Sequence, residues 1–258
     1  MPLATVNGIN INYEVEGQGE PLVMIMGFQT AHGGWMLQTP FFKKRHYRVI
    51  TFDNRGVGKS DAPDGPYSTR MMADDTAALL DYLGVKKAHV IGISLGGMIA
   101  QELAINYPER VSTLVLGSTF ACDDNNSGFT AECSEIMKLP VYETADNILN
   151  LCFDNLKYRK FIPMLKILGR KNKPAGLEGQ REAMLKHNTL DRLKLIKAPT
   201  LVIVGTGDRV IRPISSEILA ENISNASLIK VNKGSHVLLT EMSGTFNKEV
   251  FNFLKRAN

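Results

Sequence analysis

The sequence lacks the marks of several protein classes. Its 258 residues include only three cysteines, an odd number without Cys-x-x-Cys spacing, so we expect neither a disulfide framework nor a metal site. No apolar run is long enough for a membrane helix, and the N-terminus lacks the charged and apolar segments of a signal peptide. We therefore expect a cytoplasmic protein with reduced thiols that does not associate with a membrane.

The sequence also has little excess of charge of either sign. Thirty Lys and Arg oppose 26 Asp and Glu, the formal net charge is +4, and the lysines are scattered rather than clustered. This distribution gives no reason to expect a nucleic-acid partner. No Gly-x-Gly-x-x-Gly follows a strand, and neither a phosphate-binding loop with lysine nor a cluster of metal ligands is present. We therefore expect no cofactor and no bound metal.

Short apolar, β-branched runs alternate with helical patterns over most of the chain. An Asn7-Gly8 pair first predicts a hairpin, because both residues tolerate the positive φ of a tight turn. This alternation predicts an α/β fold with a mainly parallel central sheet and helices on both faces. The predicted sheet strands that follow the hairpin are residues 21–26, 47–52, 87–93, 111–116, 200–204 and 228–231.

The alternation is interrupted between about Thr119 and Leu190. The residues there have amphipathic, helix-like patterns that prolines cut into short pieces, and no strand is convincing among them. We interpret residues 119–190 as a helical cap inserted into a core formed by residues 1–118 and 191–258. The alternative is that these helices simply pack on the outside of the core.

A single serine is surrounded by glycines where a strand meets a helix. Ser94 follows a buried apolar strand and precedes a helix, and Gly92, Gly96 and Gly97 flank it. A strand that turns directly into a helix leaves little space for Cβ atoms, so small residues are needed at these positions. The pattern predicts a nucleophile elbow, in which the serine is strained and exposed at the edge of the sheet.

Polar residues follow three of the predicted strands, namely Ser94, Asp208 and His236. The carboxyl ends of parallel strands meet at one edge of a sheet, where sites form. A serine hydroxyl needs a base to become a nucleophile, and the base needs a carboxylate that fixes its tautomer. The sequence therefore predicts a triad of Ser94 as nucleophile, His236 as base and Asp208 as its partner.

Other acidic and basic residues fit these roles less well. Asp191 precedes a helix rather than ending a strand. Asp53 does end a strand, but its neighbours Asn54 and Arg55 indicate a structural hydrogen-bond network. The remaining histidines are interpreted as surface or packing residues: His32, His46, His89 and His187.

A serine that attacks a carbonyl also needs donors for the oxyanion. We expect the backbone N–H of Leu95, directly after the serine at a helix N-terminus, and the N–H of Phe28, in the loop after the strand at 21–26. A histidine base must be neutral to accept the serine proton. Activity is therefore expected to rise across the pH range in which histidines titrate, around 6.5.

These motifs together resemble the α/β-hydrolase superfamily over nearly the whole chain. They are Met26-Gly27-Phe28, Asp53-Asn54-Arg55-Gly56-Val57-Gly58-Lys59-Ser60, Gly92-Ile93-Ser94-Leu95-Gly96-Gly97 with Met98, and Gly207-Asp208 followed by Gly234-Ser235-His236. The group most resembled is that of small bacterial carboxylesterases and lactonases, including 3-oxoadipate enol-lactonase-like and acyl-homoserine-lactone-degrading esterases. The resemblance implies a cofactor-free serine hydrolase whose partner is a small-molecule ester or lactone.

One residue departs from the family pattern, and several functions share the fold. Many members have His-Gly where this chain has Met26-Gly27, but a backbone donor there should survive the change. Dehalogenases of this fold use an aspartate nucleophile, which Ser94 argues against. A cofactor-free perhydrolase, a thioesterase or a carbon–carbon bond hydrolase would have the same motifs. A non-enzymatic receptor for a small ligand is the alternative from another class.

The substrate pocket is expected to be mainly apolar. Trp35, Met98, Met137 and Met164 are its candidate lining residues, with Leu139 and Leu168 as further candidates. The arginines of the helical segment have polar neighbours and are interpreted as solvated rather than as an anion clamp: Arg159, Arg170 and Arg181. We therefore expect a preference for neutral acyl chains of short to medium length.

Overall fold

The chain begins with the predicted hairpin. In the computed structural model, which describes residues 2–124, 126–153, 156–160, 162–169 and 171–257, β1 (Leu3–Val6) and β2 (Ile9–Glu16) pair antiparallel. Asn7 and Gly8 between them have φ values of +48° and +77°. Positive φ at both central residues is what a type I′ turn requires, so the Asn-Gly prediction is confirmed.

The described residues form one eight-stranded sheet in the order β1-β2-β4-β3-β5-β6-β7-β8. The six strands from β3 to β8 run parallel, and the hairpin joins them at one edge through an antiparallel contact of β2 with β4. Their bounds are β3 (Glu20–Ile25), β4 (Tyr47–Phe52), β5 (Ala88–Ile93), β6 (Val111–Gly117), β7 (Thr200–Gly205) and β8 (Ala226–Val231).

Both faces of the sheet are covered by apolar side chains. Successive residues of a strand point to opposite faces, and the two buried clusters follow this rule. In β5, Val90 belongs to the larger cluster and Ile91 to the smaller one, and in β6 Leu114 and Val115 divide in the same way. The predicted α/β fold with a mainly parallel, doubly covered sheet is confirmed.

Helices connect the strands and cover both faces. Within the described ranges none is long and apolar enough to span a membrane. The bounds are α1 (Thr39–Lys43), α2 (Thr69–Tyr82), α3 (Leu95–Asn106), α4 (Ala131–Ile136), α5 (Val141–Cys152), α6 (Leu156–Arg159), α7 (Ile162–Gly169), α8 (Pro174–Leu185), α9 (Ile214–Asn222), α10 (Leu238–Glu241) and α11 (Ser243–Ala257), with 3-10 turns at His32–Trp35, Pro108–Arg110 and Leu190–Leu195.

The segment between β6 and β7 contains helices α4 to α8. Isolated backbone bridges join Cys122 to Asn188 and Phe129 to Ile211. The first bridge holds the beginning and the end of this segment side by side, so the chain leaves the core and returns at nearly the same place. The described residues of this segment contain no strand of the central sheet.

The three cysteines are free and buried. Burial raises the pKa of the Cys133 thiol to about 12 and raises that of Cys152 well above its usual range. The thiolate is the reactive form of cysteine, so both side chains behave as neutral packing groups. Each lies in the segment between β6 and β7, in α4 or α5.

His187 is buried where that segment returns to the core. Its Nδ1 lies 2.9 Å from Oγ1 of Thr69, the first residue of α2, and its ring tilts against Phe120. Burial lowers the pKa of His187 to about 4, because an imidazolium ion is poorly solvated there. The interpretation of this histidine as a packing residue is confirmed.

The lowered pKa of His187 predicts how the free energy of unfolding depends on pH. Between about pH 6.5 and 4 the unfolded chain binds a proton at His187 and the folded chain does not, so stability falls as pH is lowered through this window, by at most about 3 kcal/mol. We expect His187→Asn, which keeps a hydrogen-bonding group near Nδ1, to flatten this part of the curve. The free energy of unfolding, measured in urea at several pH values from 7 to 4, tests this expectation. The exposed His46 provides a control, since His46→Asn should retain the wild-type slope.

Candidate active site

Ser94 occupies a strained turn between β5 and α3. Its φ is +55°, in the left-handed region that residues with a Cβ rarely adopt. Hydrogen bonds hold both of its backbone groups: its N–H donates to the carbonyl of Gly117 at 2.9 Å, and its carbonyl accepts from the N–H of Gly97 and the hydroxyl of Thr119, both at 2.8 Å. The predicted strand–turn–helix geometry around Ser94 is confirmed.

The glycines beside Ser94 are explained by close contacts. A Cβ on Gly96 would collide with the carbonyl oxygen of Ile25 at the end of β3, and a Cβ on Gly97 would lie 2.6 Å from Cβ of Thr119. These distances are too short for any side chain. The elbow is therefore clamped between the end of β3 and the residues that follow β6.

His236 and Asp208 form a buried pair at the same edge of the sheet. Nδ1 of His236 lies 2.8 Å from Oδ2 of Asp208, and only 5% of His236 and 6% of Asp208 are exposed. The other carboxylate oxygen, Oδ1, accepts from the backbone N–H groups of Val210 and Ile211 at 2.8 and 3.0 Å. These bonds fix the carboxylate, so Oδ2 is held towards the imidazole ring.

Backbone contacts also hold the two loops that carry this pair together. The N–H of Gly207 donates to the carbonyl of Gly234 at 2.9 Å. Ser94, Asp208 and His236 follow β5, β7 and β8, and these strands are parallel members of one sheet. The three side chains therefore belong to the same sheet edge, as the sequence predicts.

The loop after β3 lies beside Ser94. A Cβ placed on Gly27 would be 3.2 Å from Cβ of Ser94 and 3.7 Å from its Oγ. Among the described residues no acceptor is bonded to the N–H of Phe28. Leu95 begins α3, and the first N–H groups of a helix have no partner within it. Both groups expected to bind an oxyanion thus belong to segments that adjoin Ser94.

A second His–Asp pair joins the 3-10 turn that follows β3, which contains His32, to the loop after β4, which contains Asp53. Nδ1 of His32 is 2.6 Å from Oδ1 of Asp53, whose carboxylate also accepts hydrogen bonds from Asn12 and the N–H of Lys59. The hydrogen bond to Asp53 raises the pKa of His32. Burial acts to raise the pKa of Asp53, but its hydrogen bonds lower it overall. The interpretation of this loop as a structural network is confirmed.

Three of the candidate pocket residues are buried, but they do not lie on the same face of the sheet. Met98 and Met137 are buried in the larger cluster with Phe28. Trp35 is instead buried in the smaller cluster, on the opposite face of the sheet, because the 3-10 turn after the Gly27 loop directs its ring there. The structure therefore does not support a pocket role for Trp35.

The structure does not support the expected pocket role of Met164 either. It is 52% exposed, whereas Ile162 and Leu165 of α7 pack on the larger cluster. Residues 162 and 165 share one helix face and 164 points away from it, so Met164 faces solvent. The side chain of Leu168 lies outside the described residues.

The expectation that Arg181 is solvated is wrong, because its guanidinium is bonded to protein groups. Its guanidinium donates to the carbonyl oxygens of Leu139 and Met137 at 2.5 and 3.3 Å, and to the carboxylate of Glu178. The carbonyl groups after α4 have no partners within that helix, and the guanidinium satisfies them. Arg159 is exposed, as predicted. Arg170 lies outside the described residues.

Two cavities on the surface of the described residues lie away from Ser94 and His236. One, of about 420 Å³, lies on α11 and the other, of about 230 Å³, lies beside Glu14 and His32. Neither is lined by Ser94 or His236. In the described part of the chain no group of three or more His, Cys, Asp or Glu side chains is arranged to hold a metal ion.

The fold and the residues at its sheet edge define an α/β hydrolase. The chain belongs to the family described as the alpha/beta hydrolase fold, whose sequence profile matches residues 20–162, more than half of its length. The predicted membership is confirmed, and with it the general assignment as a hydrolase.

Relatives match the chain over almost all of its length. A putative non-heme bromoperoxidase of Mycobacterium tuberculosis is 32% identical over 257 residues, which cover 95% of this chain and 97% of the relative. The 3-oxoadipate enol-lactonase 2 of Acinetobacter baylyi is 28% identical, with coverages of 98% and 96%. The crystal structure of the enol-lactonase from Burkholderia xenovorans is 27% identical, with coverages of 98% and 100% and a TM-score of 0.88.

The elbow contacts predict the effect of one methyl group. We expect Gly96→Ala to destabilise the fold or displace Ser94, because its Cβ has no space beside the Ile25 carbonyl. Gly244→Ala, in α11, meets nothing within 4 Å and should be neutral or stabilising by up to about 1 kcal/mol. Thermal unfolding and ester hydrolysis of both variants provide the comparison. Equal behaviour of the two would contradict the clamped elbow.

Proposed function

We propose that the protein is a serine hydrolase that cleaves small carboxylic esters or lactones through an acyl-enzyme intermediate. The observation that carries the proposal is the buried His236–Asp208 pair at the sheet edge where Ser94 is held in its strained turn. A histidine paired in this way through Nδ1 presents Nε2 as a base.

The reaction begins when Oγ of Ser94 attacks the ester or lactone carbonyl. His236 accepts the serine proton and Asp208 stabilises the imidazolium. The N–H groups of Phe28 and Leu95 bind the oxyanion. His236 then gives the proton to the departing alkoxide oxygen, which leaves the acyl group on Ser94. A water molecule, activated by His236, hydrolyses this ester and restores the free serine.

We further propose that the helical segment 119–190 forms the cap over the acyl site. Met137 of this segment shares the larger apolar cluster with Phe28 and Met98. Arg181, in α8, is already bonded to carbonyl oxygens and to Glu178. It is therefore not free to bind an acidic substrate, which supports an apolar acyl pocket.

A perhydrolase is a second candidate, because a relative of 32% identity is named as a putative non-heme bromoperoxidase. In that reaction hydrogen peroxide replaces water as the nucleophile that attacks the acyl-enzyme, and a peracid is released. Peracid formation from an acetate ester and hydrogen peroxide distinguishes this activity from hydrolysis alone. Thioesterase and carbon–carbon bond hydrolase activities use the same residues, so panels of thioesters and diketones separate them.

A small-ligand receptor with a slow triad is the alternative from another class. Such a protein would release a burst of one product per chain from an activated ester and then stall, whereas an enzyme continues to turn over.

Removal of the nucleophile tests the mechanism directly. We expect Ser94→Ala to lower the turnover of p-nitrophenyl acetate by about 10⁴-fold or more. The matched control is Ser118→Ala, after the neighbouring strand: Ser118 also has positive φ, and its hydroxyl is buried without a partner among the described residues. It should keep wild-type turnover. Near-wild-type hydrolysis by Ser94→Ala would exclude the mechanism.

A series of acyl groups tests the proposed pocket. We expect kcat/KM to increase in graded steps with acyl length until the cap is reached, because each buried methylene contributes at most about 0.8 kcal/mol. An acyl-lactone and a negatively charged acyl ester complete the series. A marked preference for the charged ester would contradict an apolar pocket.

A further inference from the structure

The loop that follows β3 is held by residues of the helical segment. Gln29 is buried and has a φ of +56°, a conformation that needs support from its surroundings. Its N–H donates to Oε1 of Gln180 at 3.0 Å, its carbonyl accepts from Nδ2 of Asn172 at 2.9 Å, and its side-chain amide donates to the carbonyl of Ala145 at 2.8 Å. All three partners lie between β6 and β7.

The Gln180 amide connects two loops of the core. It is fully buried, and while Oε1 accepts from Gln29, Nε2 donates to the carbonyl of Arg55 at 2.8 Å. Asn172 makes a parallel connection, because its Oδ1 accepts from the N–H of Gly58 at 2.9 Å. Two side-chain amides thus link the loop after β3 to the loop after β4, and both come from the helical segment.

Helix α8, which contains Gln180, is packed closely against the core. Gly176 packs against Gly56 so closely that a Cβ on Gly56 would lie 2.7 Å from the Gly176 carbonyl oxygen, and Gly179 lies against the ring of Tyr67, 2.5 Å from where its Cβ would be. Such contacts leave no room for sliding. The first turns of α8 are therefore part of the packed core, and the Gln180 amide has a defined position relative to it.

We infer that Gln180 is a positioning residue that directs the N–H of Phe28 towards the oxyanion. The N–H of Phe28 has no partner among the described residues, so its direction depends on neighbouring groups. The next N–H along the chain, that of Gln29, is bonded to Gln180, and Gly27 on the other side abuts Ser94. This inference rests on the proposed serine hydrolase mechanism.

The effect should appear in the transition state and not in substrate binding. A donor aimed at the developing oxyanion stabilises the transition state more than the ground state. Complete loss of one such donor lowers kcat by about 10²–10³-fold, and a misaligned donor is expected to cost less. For Gln180→Met, which removes both hydrogen bonds, we expect kcat for p-nitrophenyl acetate to fall by about 10- to 100-fold while KM changes less than about 2-fold.

The matched control is Gln38→Met. Gln38 is also a buried glutamine, and its amide donates to the carbonyl of Leu239 and to Oδ1 of Asn247 at 2.8 and 3.0 Å. Among the described residues, its side chain makes no hydrogen bond to Phe28, Gln29 or their neighbours in residues 26–31. This variant should lose stability, as Gln180→Met does, but keep the wild-type kcat.

A trifluoromethyl ketone provides a readout that a purely structural role would not change in this way. It forms a hemiketal oxyanion with the serine, so its inhibition constant should rise by the same factor as kcat/KM falls in Gln180→Met. An unchanged inhibition constant, or an equal loss of kcat in Gln38→Met, would overturn the inference.

Should Gln180→Met fail to fold, Asn172→Leu serves instead, because it loses the bond to the Gln29 carbonyl. Unchanged kcat and inhibition constants in this variant would again refute the inference.

Ser94→Ala separates this inference from the proposed function. Full activity of Ser94→Ala would refute the serine mechanism, and the inference with it. Loss of activity in Ser94→Ala together with wild-type kcat and inhibition constants in Gln180→Met would refute the positioning role alone.

Discussion

The left-handed backbone of Ser94 is the constraint on which the surrounding structure depends. This conformation costs on the order of 1–3 kcal/mol, and it persists because three neighbouring segments oppose any relaxation. β6 accepts the Ser94 N–H through Gly117, Thr119 donates to its carbonyl, and the end of β3 lies directly against Gly96. The sheet order is therefore also what allows a strained serine, since β5 must lie between β3 and β6.

Most strands and the residues at their ends could be predicted, because buried parallel strands are short, apolar and β-branched. The position of Ser94, Asp208 and His236 followed from counting strand ends. The short helix α10 could not be predicted, since four residues show no helical period. Nor does periodicity state what a helix face touches. The surroundings of Trp35, Met164 and Arg181 cannot be inferred from periodicity, because they depend on how turns and helices pack together.

The two His–Asp pairs have similar geometry but different surroundings. In both, Nδ1 of the ring lies within 3 Å of a carboxylate oxygen. Nε2 of His32, however, faces the carboxylate of Glu14 at 3.8 Å, and with Asp53 this second acid favours the charged ring, as its raised pKa shows. In the proposed mechanism the base is His236, which follows β8 and is paired with Asp208 after β7, whereas His32 and Asp53 follow β3 and β4.

Helix α8 belongs to the helical segment in sequence but packs against loops of the sheet domain. The family match ends at residue 162, before α8 begins, and the sequence pattern places this helix in the helical segment. Yet Gly176 packs on Gly56, and Gln180 is bonded to both Gln29 and Arg55. Removing the segment would leave the buried N–H and carbonyl of Gln29 without partners, which costs about 1–3 kcal/mol for each group. The loop beside Ser94 therefore depends on α8 for its conformation, although the two are separated by more than 140 residues of sequence.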